Sequence, residues 1–370
     1  MMHKLIFFFA IFFPLSLIAQ TGSSPASNFV NASAPQIIVE GRYATSPAGG
    51  VRMGFPGVVL HIHFHGSALT MRVNSSSDEA FFSVTVDGGK PVHLRMHQGT
   101  RDYPILNEAT AGDHAVEIAR LTESWEGVCE VAGFDLGPDG GLLAPPELPT
   151  RKFLFIGDSI TCGASSDYDS GTPKNERTEH NTQWNNAQKT FCKILARDLD
   201  AQCELVSYGG RGMTRDWRGF TTIGNTPQYY TNALPDDPSS YWDPHRYVPD
   251  LVAICIGQND FNQGVPDEKL FVNTYVGFVE QVRHDAPNAW IFLLDSPMLQ
   301  DDRYGLPKRT ILHGYLKEIV AKVNDSRVKL APVSFYPGNP VDGHPTAANH
   351  QAIARELEPI FRKALAAGNT

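Results

Sequence analysis

The sequence predicts two folds in tandem: an all-β jelly-roll sandwich, then a three-layer, flavodoxin-like α/β domain with a parallel five-stranded sheet. Three observations predict this. The chain has 370 residues, which suits two domains at roughly 150 residues each. Up to Leu136 short alternating runs are separated by turn signals, whereas from Arg151 short, continuously apolar runs alternate with stretches of helical spacing. Between them, Gly137-Pro138-Asp139-Gly140-Gly141 and Ala144-Pro145-Pro146-Glu147-Leu148-Pro149 form the one dense Pro/Gly stretch. Such a stretch continues neither a ladder nor a helix. The sandwich is placed at residues 20–148 and the α/β domain at 149–370.

Residues 1–19 precede both. A lysine at Lys4, an apolar run from Leu5 to Ile18 and a small residue at Ala19 before Gln20-Thr21-Gly22 follow the order of a secretory signal peptide. The run is short for a bilayer span. The mature protein is therefore expected to be exported, to the periplasm or beyond the cell, without a membrane partner. Export permits disulfides, yet the five cysteines are an odd number with apolar neighbours, and buried free thiols are expected. A hydrophobic fraction of 42% and a charged fraction of 19% exclude a largely disordered chain. A net charge of -9 offers no basic stripe for a nucleic acid, and a neutral substrate fits better.

In the sandwich, Val59 to His65 alternates cleanly, Leu69 to Val73 and Ala80 to Val86 are rich in β-formers, and Asp87-Gly88 signals a tight turn. Pro91 to Met96, His114 to Leu121 and Val128 to Leu136 bring the total to about eight strands. His61, His63 and His65 share one strand face. A zinc site needs further converging ligands that the sequence does not identify, so the row is read as a polar outer face and no metal or cofactor is expected.

In the second domain, Lys152–Ile156, Glu204–Tyr208, Leu251–Ile256, Trp290–Leu294 and Val328–Val333 read as strands buried on both faces. Asn186–Leu199, Asp267–Asp285, Pro307–Val323 and Thr346–Ala366 read as helices. Ligands of such sheets sit beyond the carboxyl ends of the strands. Three short words lie just there: Gly157-Asp158-Ser159-Ile160-Thr161, Gly257-Gln258-Asn259-Asp260 and Asp342-Gly343-His344-Pro345.

These words carry acyl-transfer chemistry. Ser159 follows a strand at the start of a helix, where a hydroxyl can project from a sharp turn beside its own unpaired N–H. A serine there is also a common N-cap, and the other two words decide between the readings. Gly210, in Gly209-Gly210-Arg211-Gly212, lets the backbone turn a second N–H toward a ligand, and the Asn259 amide supplies a third donor for an oxyanion. His344, just ahead of the closing helix, is the general base, and Asp342 can orient its ring. Asp158 and Asp260 are read as braces of their loops.

The four blocks, from Arg151 to the end, resemble those of the SGNH (GDSL-like) hydrolases. The longer form Gly157-Asp158-Ser159-Ile160-Thr161-Cys162-Gly163, the Gly210-Arg211-Gly212 run, the preceding sandwich and its opening Val39-Glu40-Gly41-Arg42-Tyr43 are similar to carbohydrate esterase family two. That resemblance implies a secreted serine esterase, without cofactor, removing acetyl groups from xylan, glucomannan or related polysaccharides and oligosaccharides through an acetyl-enzyme. Two positions depart from the pattern. Val341 stands where many SGNH enzymes carry the aspartate, leaving either Asp342 or a backbone carbonyl to orient His344, and Gly343 stands where an aromatic residue would wall the cleft.

Two insertions, Ala164–Trp184 and Arg215–Tyr247, emerge at the same rim. The second carries Trp217, Phe220, Tyr229, Tyr230, Tyr241 and Trp242, rings on which sugars can lie. Trp242, and Asp158 beside the serine, are assigned to substrate binding. Two other readings stand beside this one: a lipolytic or aryl esterase, which wants an apolar acyl tunnel, and a non-catalytic polysaccharide-binding protein.

Overall fold

The computed structural model describes residues 28–302 and 305–367; the leader assigned to residues 1–19 lies outside them. The all-β part contains β1 (Phe29–Asn31), β2 (Ile38–Glu40), β3 (Ala44–Thr45), β4 (Val51–Met53), β5 (Val59–Ser75), β6 (Phe81–Val86), β7 (Val92–Arg95), β8 (Gly99–Arg120), β9 (Cys129–Asp135) and β10 (Gly141–Leu142). The order is β3-β4-β9-β5-β8-β6-β7, with β1 on β9 and β2 and β10 on β5. The pairing of β5 with β8 and β9 is antiparallel throughout.

The runs Val59–His65 and Leu69–Val73, expected as two strands, are one 17-residue strand. Register shifts at Gly66/Ala68 and Leu69/Thr70 absorb the irregularity, since a bulge bends a strand without ending it. Leu60, Ile62 and Phe64 point into a core shared with Met71, Ile118 and Phe134. His61 and His65 point away from it and pair with carboxylates: His61 Nε2 lies 3.2 Å from Glu40, and His65 Nδ1 lies 2.6 Å from Asp113. Among the described residues no group of three or more His, Cys, Asp or Glu is arranged to hold a metal.

The α/β part has β11 (Arg151–Gly157), β12 (Ala201–Ser207), β13 (Leu251–Cys255), β14 (Trp290–Leu294) and β15 (Val328–Ala331), all parallel in the order β12-β11-β13-β14-β15. Helices are α1 (Ser159–Cys162), α2 (Phe191–Asp198), α3 (Thr226–Tyr229), α4 (Glu268–Asp285), α5 (Lys308–Val323) and α6 (Ala347–Ala367). Ile254, Phe271, Phe278 and Leu316 fill one face of the sheet. Phe155, Phe191, Leu195 and Phe361 fill the other. Helix α2 begins later than its periodicity suggests because Asn186 caps a separate 3₁₀ turn at Ala187–Lys189, after which Thr190 caps α2 through the Lys193 N–H. The strand order reverses on either side of β11, which puts a crevice at its carboxyl end.

Side chains of the all-β part reach deep into the α/β part. Arg42 forms a buried ion pair with Glu204 of β12 at 3.0 Å, and Glu40 pairs with Lys193 of α2 at 3.3 Å. All five cysteines are buried and unpaired. No described helix is long and apolar enough to cross a membrane.

Candidate active site

The turn after β11 is tight for a steric reason. A Cβ at Gly157 would stand 1.9 Å from the Thr161 hydroxyl, so only glycine lets the strand end directly beneath α1. Asp158 then adopts an extended conformation and accepts the Ile160 N–H at 3.1 Å. This leaves Ser159 as the first helical residue, its N–H among the donors that a helix start cannot satisfy internally. Its Oγ lies 2.8 Å from His344 Nε2, 185 positions away in the chain.

His344 sits in a knot between β15 and α6. Asn339 ties it by accepting the Asp342 N–H at 3.1 Å and by donating from its own N–H to the His344 carbonyl at 2.9 Å. Asp342 Oδ1 accepts the His344 backbone N–H at 3.0 Å, and Oδ2 accepts the Ser165 hydroxyl at 2.7 Å. Oδ1 is also 3.2 Å from His344 Nδ1, but Nδ1 makes no directed hydrogen bond. The contact becomes one of charge once the ring takes up a proton. Although partial burial opposes ionisation, the His344 ring and the Ser165 and His344 donors hold the Asp342 carboxyl well below the usual carboxylate range.

Beyond β12, Gly210 has φ +75°, a backbone shape glycine adopts without strain. Its N–H has no protein acceptor among the described residues, while its carbonyl accepts the Trp217 N–H at 2.9 Å. The Trp217 ring lies against it: a Cβ at Gly210 would be 2.7 Å from Trp217 Cδ1. Asn259 is more engaged than expected of an oxyanion donor. Its Nδ2 donates to the Arg211 carbonyl at 2.8 Å and, more weakly, to Asp158 Oδ2 at 3.3 Å.

Two assignments to substrate binding are corrected. Asp158 is fully buried, and burial pushes its carboxyl up to about 7; its oxygens face Ile160 and Asn259, so it braces the turn and presents nothing to a ligand. Trp242 is 4% exposed, with the guanidinium groups of Arg42 and Arg246 at 5.1 Å and 4.4 Å from its ring. It anchors its loop to the all-β part. Tyr229 and Tyr230 are buried as well, whereas Trp217, Phe220 and Tyr241 are exposed, Trp217 by 50%. Trp217 is the exposed ring that lies against Gly210, and position in the chain alone did not separate it from the other five. Asp260 braces as expected, accepting the Met213 and Thr214 N–H groups at 2.8 Å each.

A cavity of 640 Å³ adjoins this arrangement, lined by Gln258, Asn262, Gln300, Lys308, Phe335 and Gly343 among others. Gln258 neighbours Asn259, and Gly343 neighbours His344. The bare glycine at position 343 leaves this side open.

Comparison with known proteins shows the family. Residues 39–146 match the family described as carbohydrate esterase 2 N-terminal, and residues 155–353 match the GDSL-like lipase/acylhydrolase family. An acetylxylan esterase/glucomannan deacetylase of Cellvibrio japonicus is 35% identical over 91% of both chains. The structure of a family two carbohydrate esterase from Cellvibrio japonicus superposes with a TM-score of 0.85 at 35% identity, over 92% of this chain and 98% of that one. A family two carbohydrate esterase from Clostridium thermocellum, solved in complex with cellohexaose, gives 0.80 at 29% identity, over 89% and 99%. The chain belongs to carbohydrate esterase family two.

Proposed function

We propose that this protein is an exported serine esterase that removes O-acetyl groups from plant polysaccharides of the xylan or glucomannan type and from their oligosaccharides. The observation that carries the reading is the 2.8 Å contact between Ser159 Oγ and His344 Nε2 at the switch point of the sheet. Relatives named acetylxylan esterase/glucomannan deacetylase support the substrate class.

The mechanism is two-step acyl transfer. As Ser159 Oγ attacks the acetyl carbonyl, its proton passes to His344 Nε2, and the imidazolium so formed is stabilised by the ionised Asp342, 3.2 Å from Nδ1. The oxyanion takes the unpaired N–H groups of Ser159 and Gly210, and the Asn259 amide when its long bond to Asp158 yields. His344 returns the proton to the departing sugar oxygen. Water, deprotonated by the same imidazole, then attacks the acetyl-enzyme and acetate leaves. The sugar chain lies across Trp217 and into the cavity beside Gly343. That cavity sets Gln258, Asn262, Gln300 and Lys308 beside Phe261, Leu299, Leu306 and Phe335, a mixture of hydrogen-bonding groups and apolar faces that suits hydroxyl-bearing rings.

The test is acetate release from acetylated xylan, acetylated glucomannan and a series of esters from acetate to octanoate. The wild-type protein should release acetate from the polysaccharides and lose rate steeply with acyl length, and Ser159→Ala should be inactive while folded. Preference for octanoate would favour a lipolytic esterase. Glycan binding without acetate release would favour a binding protein.

A further inference from the structure

We propose that Glu123, contributed by the all-β part, is a positioning residue for the oxyanion site of the α/β part. Its carboxylate holds the Gly209 N–H and thereby aims the next N–H along, that of Gly210, at the reacting carbonyl. The inference rests on the serine-esterase reading above.

The peptide between Gly209 and Gly210 is the one whose N–H is left unpaired, and it hangs between two anchored neighbours. On one side, the Tyr208 carbonyl accepts the Arg211 N–H at 3.3 Å, and the Gly209 N–H donates to Glu123 Oε2. On the other, the Gly210 carbonyl accepts the Trp217 N–H at 2.9 Å. Peptide units are planar, with only φ and ψ free between them, so anchoring both neighbours confines the central peptide of this turn to its two flip states, and the φ of +75° at Gly210 selects the one that sets the direction of its N–H. Every other anchor is local to residues 208–217. Glu123 alone comes from the first half of the molecule, 86 positions away.

Glu123 is itself built in rather than merely close. It is 3% exposed, and its carboxylate closes over Gly209, where a Cβ would stand 2.6 Å from Oε1. Its backbone N–H donates to Glu126 Oε2 at 2.7 Å, and the fully buried Arg120 donates to its carbonyl at 2.9 Å. Glu126 in turn accepts the Asn185 amide. Burying a carboxyl group is costly, and burial pushes the Glu123 carboxyl up. Either protonation state keeps an oxygen that can accept the Gly209 N–H, so the role depends on geometry and not on charge.

Glutamine preserves that acceptor, alanine removes it, and aspartate withdraws it by one methylene. The test measures kcat and KM on a soluble acetyl ester, the affinity for methylboronic acid, which forms a tetrahedral adduct on serine, and the melting temperature. For Glu123→Ala we expect kcat and boronate affinity to fall together by about 10- to 100-fold with KM changed by less than about twofold, the scale of a misaimed oxyanion donor. Glu123→Gln should stay within about threefold of wild type. If the alanine variant fails to fold, Glu123→Asp should show the same paired loss. A folded Glu123→Ala or Glu123→Asp with wild-type kcat and boronate affinity would overturn the proposal, as would a glutamine variant as impaired as alanine. Ser159→Ala in the same assay separates the two readings: activity surviving there removes the serine mechanism itself, whereas an inactive Ser159→Ala beside a wild-type-like Glu123→Ala removes only the role of Glu123.

Discussion

Asp342 approaches the His344 ring without a directed hydrogen bond, and that limits what it contributes. A buried aspartate that also bonds the imidazole N–H is worth roughly 10⁴ in turnover in the best-studied serine hydrolases. Here the carboxylate is 40% exposed and off the N–H direction, so solvent screens it. We expect Asp342→Asn to lower kcat by about 10- to 100-fold with KM little changed, measured on an acetyl ester; a loss near that of Ser159→Ala would mean that a true hydrogen bond forms during the reaction. Ser159 and His344 were legible in the sequence because one sits in a word just past β11 and the other in a word just ahead of α6, at the end of the sheet where ligands bind. Trp242 was not. The segment from Arg215 to Tyr247 carries Trp217, Phe220, Tyr229, Tyr230, Tyr241 and Trp242, and whether a ring meets the solvent or, like Trp242, the distant Arg42 is decided by long-range packing. Glu123 was silent altogether, since nothing in Leu121-Thr122-Glu123-Ser124 separates a buried anchor from a surface carboxylate.

Among elements, the parallel strands were the most legible because burial on both faces leaves an unbroken apolar run. The all-β strands were less so: β5 reads as two because Gly66-Ser67 mimics a turn that the fold resolves as a bulge. That strand also carries a titrating group. Burial opposes the charge on His61, but hydrogen bonds to Glu117 and Glu40 outweigh it and raise its pKa to about 9. Glu40 is buried too, yet the Lys193 charge and the His61 hydrogen bond bring it down to about 2. A raised histidine stabilises the fold fully below its unfolded value of 6.5 and loses that as pH climbs through about 9. A lowered carboxyl stabilises above 4.5 and loses it only as pH falls toward about 2. Both contributions are present between those unfolded values. The melting temperature should therefore decline from pH 6.5 to pH 9, and His61→Gln should flatten that decline; an unchanged slope would show that His61 is not charged in the fold.

At the scale of the whole molecule, the Pro/Gly stretch before Arg151 separates two kinds of sequence pattern, although its Gly141–Leu142 still pairs with β5 as a last short strand of the first sheet. What the pattern did not disclose is how far the first part enters the second. Arg42 pairs with Glu204, Glu40 with Lys193 and Glu123 with Gly209, joining residues 162, 153 and 86 positions apart, and periodicity carries no information at that range. The all-β part thus buttresses the sheet edge at β12 and the loop beyond it, and the site depends on both halves being in register. The measurement that bears most directly on this account is covalent trapping of the full chain with an alkyl fluorophosphonate, followed by peptide mass mapping and residual activity on acetylated xylan. One adduct per chain on Ser159, formed in step with loss of acetate release and absent from His344→Ala, is the predicted result. A stoichiometric adduct on another residue, or full modification of Ser159 with deacetylation intact, would contradict it.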